Sequence, residues 1–258
     1  MFETLRKGQA VCEQHGEYER SEIMYGPLGT IWTPCPSCEA AEKEKRDMQA
    51  TEEHAKMMRD HKLNILLSKS GVPRKFKGKT FNGYRPMCAK AMARLTEVVD
   101  YAALLVDNPQ QPQSLIMIGK VGTGKTHLAC AMIEYVIRQT LKQCQYVAFS
   151  EVVRRVKSSW RNGSEESEQD IYDSLASPYL LVIDEVGMQR FTDFERTVAY
   201  EVINARYIAE NPTVMVSNLA AKDLKPTIGD RAIDRLRENG GQALLFDWES
   251  YRSSGGVQ

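Results

Sequence analysis

The sequence has no surplus of charge of either sign, with 34 Lys and Arg set against 34 Asp and Glu in 258 residues. That balance excludes bulk electrostatic attraction to nucleic acid, so any such contact must come from a local patch. No apolar run approaches the ~20 residues that span a bilayer. Met1-Phe-Glu-Thr-Leu-Arg-Lys7 is not followed by a signal-peptide core. The expectation is a cytoplasmic protein that does not engage a membrane. Residues 39–67 contain neither proline nor glycine, which excludes turns there and predicts a charged helical linker. Its His54 and His61 have no partner pair and read as surface residues. Cysteine is scarce, at six residues. Cys88, Cys130 and Cys144 are scattered and read as buried or half-buried thiols.

The other three cysteines cluster. Cys12-Glu-Gln-His15 and Cys35-Pro-Ser-Cys38 form two short pairs, each with two residues between its ligands. In a reducing compartment such pairs point to metal rather than to disulfides. Three thiolates and one imidazole complete a closed tetrahedral Zn²⁺ site, structural because no position stays open. Tyr25-Gly-Pro-Leu-Gly-Thr-Ile-Trp32 reads as a hairpin between the pairs. A segment this small cannot bury enough apolar surface to fold alone, so metal would supply the missing stability. The expected organisation is a zinc-knuckle module at 1–40, a helical linker at 41–67 and a nucleotide-binding domain at 68–258.

The densest signal is Ser114-Leu-Ile-Met-Ile-Gly-Lys-Val-Gly-Thr-Gly-Lys-Thr126. An apolar run meets a glycine-rich turn, and the turn opens an apolar-periodic helix. Gly119, Gly122, Thr123, Gly124, Lys125, Thr126 and His127 form the candidate nucleotide-binding set. Small residues let successive amides point at phosphate oxygens, the helix start adds positive potential, Lys125 reaches the outer phosphates, and Thr126 offers a hydroxyl to Mg²⁺. Tyr179-Leu-Leu-Val-Ile-Asp184-Glu185 reads as a buried parallel strand that ends in two acids. Asp184 suits Mg²⁺, and Glu185 suits polarisation of an attacking water. Thr213-Val-Met-Val-Ser217-Asn218 reads as another core strand, with Asn218 (or Ser217) at the same sheet edge as a candidate γ-phosphate sensor. Ser150 is expected to cap a helix over 150–157, with further helices over 86–106, 165–176 and 191–208. Residues 242–247 read as a fifth strand. Arg231 and Arg235 lie four apart on one helical face. They either reach a neighbouring subunit's phosphate or pair locally with Asp230, Asp234 or Glu238.

Phosphate loop, acidic strand, polar strand end and paired arginines, in that order, resemble an AAA+ ATPase. Lys69-Ser-Gly-Val-Pro, Thr80-Phe-Asn-Gly-Tyr84, Gly-Asp-Arg231-Ala-Ile-Asp-Arg235-Leu-Arg and Phe246-Asp-Trp-Glu-Ser-Tyr-Arg252 look like the DnaC family of bacterial replicative helicase loaders. The resemblance covers residues 68–258. The N-terminal knuckle looks more like phage or prophage DnaC-like replication proteins. The resemblance implies an α/β P-loop AAA+ core with a five-stranded parallel sheet between helices. About forty residues after Asn218 are too few for a full lid beside the fifth strand. It also implies a loader, with slow ATPase activity stimulated by its partners, that binds a DnaB-type helicase, self-associates as a spiral and helps place the ring on single-stranded DNA. By the family pattern, Arg231 and Arg235 match the box that holds the trans-acting arginine, and Arg252 matches a second sensor. Single-stranded DNA would meet Arg154, Arg155, Lys157, Trp160 and Arg161, with Trp160 stacking on a base. The plain alternative there is an amphipathic helix with Val152, Val153 and Val156 inward and Trp160 capping the core. Two rival functions remain: an IstB-type transposition helper on duplex DNA, and a replication adaptor using ATP only as an assembly switch.

Overall fold

A strand buried on both faces reads as an unbroken apolar run, and Leu115-Ile-Met-Ile118 is such a run, with every residue buried. It becomes an inner strand of a parallel sheet. The computed structural model describes residues 4–24, 29–111, 113–161, 163–187 and 191–251. The chain divides into two units, Met1–His61 and Lys62–Gln258.

In the first unit β1 (Thr4–Cys12), β2 (Gly16–Met24) and β3 (Thr30–Trp32) pair antiparallel in that order. The helix α1 (Pro36–Lys69) follows. Pro36 suits its first turn, where the missing amide costs nothing. The helix therefore starts five residues earlier than the expected linker and takes Cys38 into its first turn. The expected hairpin is the β2–β3 pair, with Met24 opposite Thr30. Residues 25–28 of that stretch lie outside the described residues.

The second unit holds α2 (Ala89–Asp107), β4 (Leu115–Gly119), α3 (Lys125–Thr140), β5 (Cys144–Ala148), α4 (Phe149–Ser159), α5 (Glu168–Ala176), β6 (Leu180–Val186), α6 (Asp193–Ile208), β7 (Thr213–Ser217), α7 (Ala221–Ile228), α8 (Asp230–Arg237) and β8 (Gln242–Phe246). The five strands are parallel in the order β5-β6-β7-β4-β8. Period-two alternation splits their apolar side chains between two layers. Leu115, Met117, Val182 and Val214 meet α2 and α3 on one face. Ile116, Ile118, Ile183 and Met215 meet α4, α5, α6 and α8 on the other. After β7 the described residues form α7, α8, a 3-10 turn (Glu238–Gly240) and β8, and no helical lid stands among them. No helix among the described residues is long and apolar enough to cross a membrane.

Three expectations need correction. Ser150 lies inside α4, whose cap is Ala148. Phe149 is buried and stacks on Phe191 at 5.1 Å, which draws the first turn one residue back. Cys88 is exposed at the N-cap of α2, not buried, whereas Cys130 and Cys144 are buried. Helices α5 and α6 start at 168 and 193, because Ser167 and Thr192 form capping boxes with Asp170 and Glu195.

Candidate functional site

The carboxyl ends of β4, β6 and β7 lie at one sheet edge. Ile118 is level with Ser217, and Ser217 with Val186. In parallel α/β sheets that edge faces the ligand. Gly119 ends β4 with φ 129°, and a Cβ there would lie 2.1 Å from the Phe246 carbonyl oxygen. Only glycine lets the loop leave the sheet so close to β8. The Lys120 amide then donates to that same oxygen at 2.9 Å. Gly124, with φ 93°, turns the chain into α3.

Lys125 opens the helix and is buried. Its Nζ donates to the carbonyls of Gly119 at 2.8 Å and Lys120 at 2.7 Å, and to Thr123 Oγ1 at 3.4 Å. Burial lowers the ammonium to about 8, while the charge of Asp184 works the other way. The Thr126 hydroxyl donates to Asp184 Oδ2 at 2.8 Å. Asp184 is buried; it also accepts the Tyr146 hydroxyl at 3.0 Å and the Glu185 amide at 2.7 Å. Glu185 is exposed and has φ 61°, a conformation non-glycine residues adopt at a cost and often at functional sites.

These residues fit a nucleotide polyphosphate with Mg²⁺. A buried ammonium bonded to neutral oxygens can receive an anion, and a buried carboxylate beside a threonine hydroxyl offers hard oxygen ligands. Lys125 and the loop amides would hold the phosphates, and Thr126 and Asp184 the ion. The ion would neutralise charge on the phosphates.

The profile of the IstB-like ATP binding protein family matches residues 37–252. The chain belongs to that family. This IstB-like chain is 31% identical over 191 residues to "Replicative helicase loader DnaC" of Buchnera aphidicola subsp. Acyrthosiphon pisum (strain APS), covering 74% of the chain and 76% of the relative. It is 29% identical over 192 residues to the protein of that name in Escherichia coli (strain K12), with the same coverage of 74% and 76%. A crystal structure of the DnaC helicase loader superposes with a TM-score of 0.60 at 19% identity, covering 67% of this chain and 99% of that one. The IstB-like chain thus has the P-loop AAA+ fold and DnaC relatives.

The remaining candidates are placed as follows. His127 meets the Thr80 carbonyl at 3.2 Å, and burial lowers its pKa. Ser217 is buried and donates to the Val186 carbonyl at 2.6 Å; Asn218, half-buried, is the next residue beyond the strand. Arg231 is exposed in the first turn of α8, where Asp230 pairs with Lys225 at 3.3 Å. Arg235 instead bonds Glu238 at 3.2 Å and lies 4.1 Å above the Tyr207 ring. Arg252 lies outside the described residues.

On α4, Val152, Val153 and Val156 are buried. Arg155 is tied to Glu166 at 2.5 Å and to Ser174 Oγ at 3.1 Å. Arg154, Lys157 and Arg161 are exposed. Trp160 is 60% exposed, so it does not cap the core. Its Nε1 donates to Glu168 at 2.9 Å, and its ring meets Phe194 edge-on.

In the first unit the four metal-ligand candidates converge, all within 4.8 Å of one another. Cys12 Sγ lies 3.5 Å from Cys38 Sγ and 3.6 Å from His15 Nδ1. His15 Nδ1 is 3.7 Å from Cys35 Sγ and 3.3 Å from Cys38 Sγ. Tetrahedral zinc bonds imply about 3.8 Å between sulfurs and about 3.6 Å between sulfur and nitrogen. The quartet therefore fits zinc. The Gln14 amide is the largest of several hydrogen-bond influences lowering the Cys12 thiol to about 6; its bond to Cys12 raises Cys38 to about 11.

Two site residues escaped the sequence reading. Tyr84 donates to the Thr123 carbonyl of the loop at 2.9 Å, and Tyr146 holds Asp184. Their one signal was a hydroxyl-bearing aromatic in a stretch already singled out for other reasons.

Proposed function

We propose that this chain is an ATP-dependent loader that binds a DnaB-type replicative helicase and helps place it on single-stranded DNA. The observation that carries the reading is the DnaC likeness, at 31% identity over 191 residues. The site's geometry supports hydrolysis. Lys125, Thr126 and Asp184 bind Mg²⁺-ATP, Glu185 takes the proton of the attacking water, and Asn218 orients that water. Arg231 completes a neighbour's site in a spiral assembly; its exposure supports it over Arg235, which Glu238 and Tyr207 hold. Arg252 contributes the second sensor. Arg154, Lys157, Trp160 and Arg161 meet single-stranded DNA, while Arg155 braces α4. Zn²⁺ holds the N-terminal module together through Cys12, His15, Cys35 and Cys38. The protein works in the cytoplasm, organised as a zinc module, a helical linker and an ATPase domain.

The test mixes the protein with the host's replicative helicase, single- and double-stranded DNA and ATP. A helicase complex that unwinds only after loading, and that Glu185→Gln arrests, is the expected result. Filaments on duplex DNA without helicase binding would instead indicate a transposition helper. Helicase binding indifferent to Lys125→Ala would indicate an adaptor.

A further inference from the structure

Asp184 is held by groups from three elements, and one of them has no evident part in binding nucleotide. Ala148 lies opposite Asp184 in the β5–β6 register. Tyr146, two residues earlier on β5, therefore shares the face of Asp184. Its hydroxyl reaches Oδ2 at 3.0 Å, the oxygen that Thr126 also engages at 2.8 Å. The rest of the ring packs against the apolar layer under α3. Phenylalanine would fill that space equally well, so packing does not account for the hydroxyl.

The backbone of Tyr146 is fixed from outside the sheet. β5 is an edge strand, and its free amide at Tyr146 donates to the Ser70 carbonyl at 2.7 Å. Gly71, with φ 71°, comes so close that a Cβ would lie 2.5 Å from the Tyr146 carbonyl oxygen. The segment after α1 is thus clamped on the very residue that reaches the acid.

We propose that Tyr146 is a positioning residue for the metal-binding carboxylate, fixing the rotamer that Asp184 shares with Thr126, and that the Ser70–Gly71 clamp sets where its hydroxyl stands. The proposal rests on the Mg²⁺-ATP reading of the site. Thr126 is itself a candidate ligand, so it cannot serve as a constant support for Asp184. The Tyr146 hydroxyl engages Asp184 alone among the described residues. A carboxylate held before the ion arrives binds it more tightly, because less side-chain freedom is lost on binding.

The experiment titrates Mg²⁺ into the full chain with a fluorescent ATP analogue, and repeats the binding in EDTA. Tyr146→Phe is expected to bind the analogue in EDTA as wild type does. It should need on the order of tenfold more Mg²⁺ for half-maximal tight binding, with the melting temperature of the nucleotide-free protein nearly unchanged. Gly71→Ala, which disturbs the clamp without touching the acid, should move the Mg²⁺ midpoint in the same direction. An unchanged midpoint in Tyr146→Phe overturns the proposal, as does an equal loss of affinity with and without Mg²⁺. A wild type that binds no nucleotide under either condition defeats the ATP reading itself, a result distinct from the other two.

Discussion

Lys125 carries its charge in a place that disfavours charge, with burial lowering its ammonium to about 8. A bound polyphosphate would favour the protonated form and raise that value. Nucleotide affinity should therefore be flat below about pH 8 and fall by up to tenfold per unit above it. Calorimetry in buffers of different ionisation enthalpy should show proton uptake on that limb; a flat profile up to about pH 10 contradicts the assignment. For stability of the free protein the sign is reversed. The folded lysine sheds its proton near 8 and the unfolded one near 10.4, so this residue's contribution to stability rises with pH across that window.

Arg206 is the opposite case, a buried cation with a purely structural set of partners. It donates to the carbonyls of Leu175, Pro178 and Pro212 at 2.8, 3.0 and 2.6 Å, and to Thr213 Oγ1 at 2.9 Å. These acceptors lie at the end of α5 and at the chain's entries to β6 and β7, the sheet edge away from the phosphate loop. Arg206→Met strands several buried acceptors at once and should cost about 3 kcal/mol or more, read as a lower urea midpoint. The folded fraction should still bind nucleotide.

At the scale of elements, helix starts are set by single side chains. Ser167 Oγ accepts the Asp170 amide at 3.1 Å, and the Asp170 carboxylate accepts the Ser167 amide at 2.9 Å. Ser167→Ala should cost about 1 kcal/mol, seen as a small drop in melting temperature, with amides at the start of α5 exchanging faster. Such local signals were legible: β4, β6 and β7 as apolar runs, the phosphate loop by its glycines, the acids by their place at the carboxyl end of the β6 run. What depended on register was not. That Tyr146 reaches Asp184 follows from which residues of β5 and β6 stand opposite, which no local pattern encodes. Arg231 and Arg235 share a spacing, but only the neighbouring α6, with Tyr207, separates an exposed arginine from a stacked one. Cys88 counted as apolar by type, although its position just before α2 leaves it in solvent.

For the molecule as a whole, the two units rest on different sources of stability. Among the described residues of the first unit only Cys35 is buried, so beyond its strand pairing the small sheet depends on the zinc proposed for the Cys/His quartet. The second unit has apolar layers on both faces of its sheet. Removing zinc with a strong chelator should leave amides of residues 4–38 exchanging freely while those of β4, β6 and β7 stay protected and nucleotide still binds. Hydrogen exchange resolved by peptide reads both at once; retained protection in 4–38 after full zinc loss would count against a structural metal.

The contact between Gly119 and Phe246 also bears on how the protein is made. β4 lies between β7 and β8, strands that come later in the sequence. The phosphate loop leans on the Phe246 carbonyl, and the Gly122 carbonyl accepts the Tyr251 amide at 3.0 Å. A ribosome therefore synthesises the loop more than a hundred residues before the strand that shapes it. Until β8 emerges, β4 has an unpaired edge and the loop lacks its backing. Chains that end before Gln242 should therefore fail to bind nucleotide, as titration of such a truncated protein with a fluorescent ATP analogue would read.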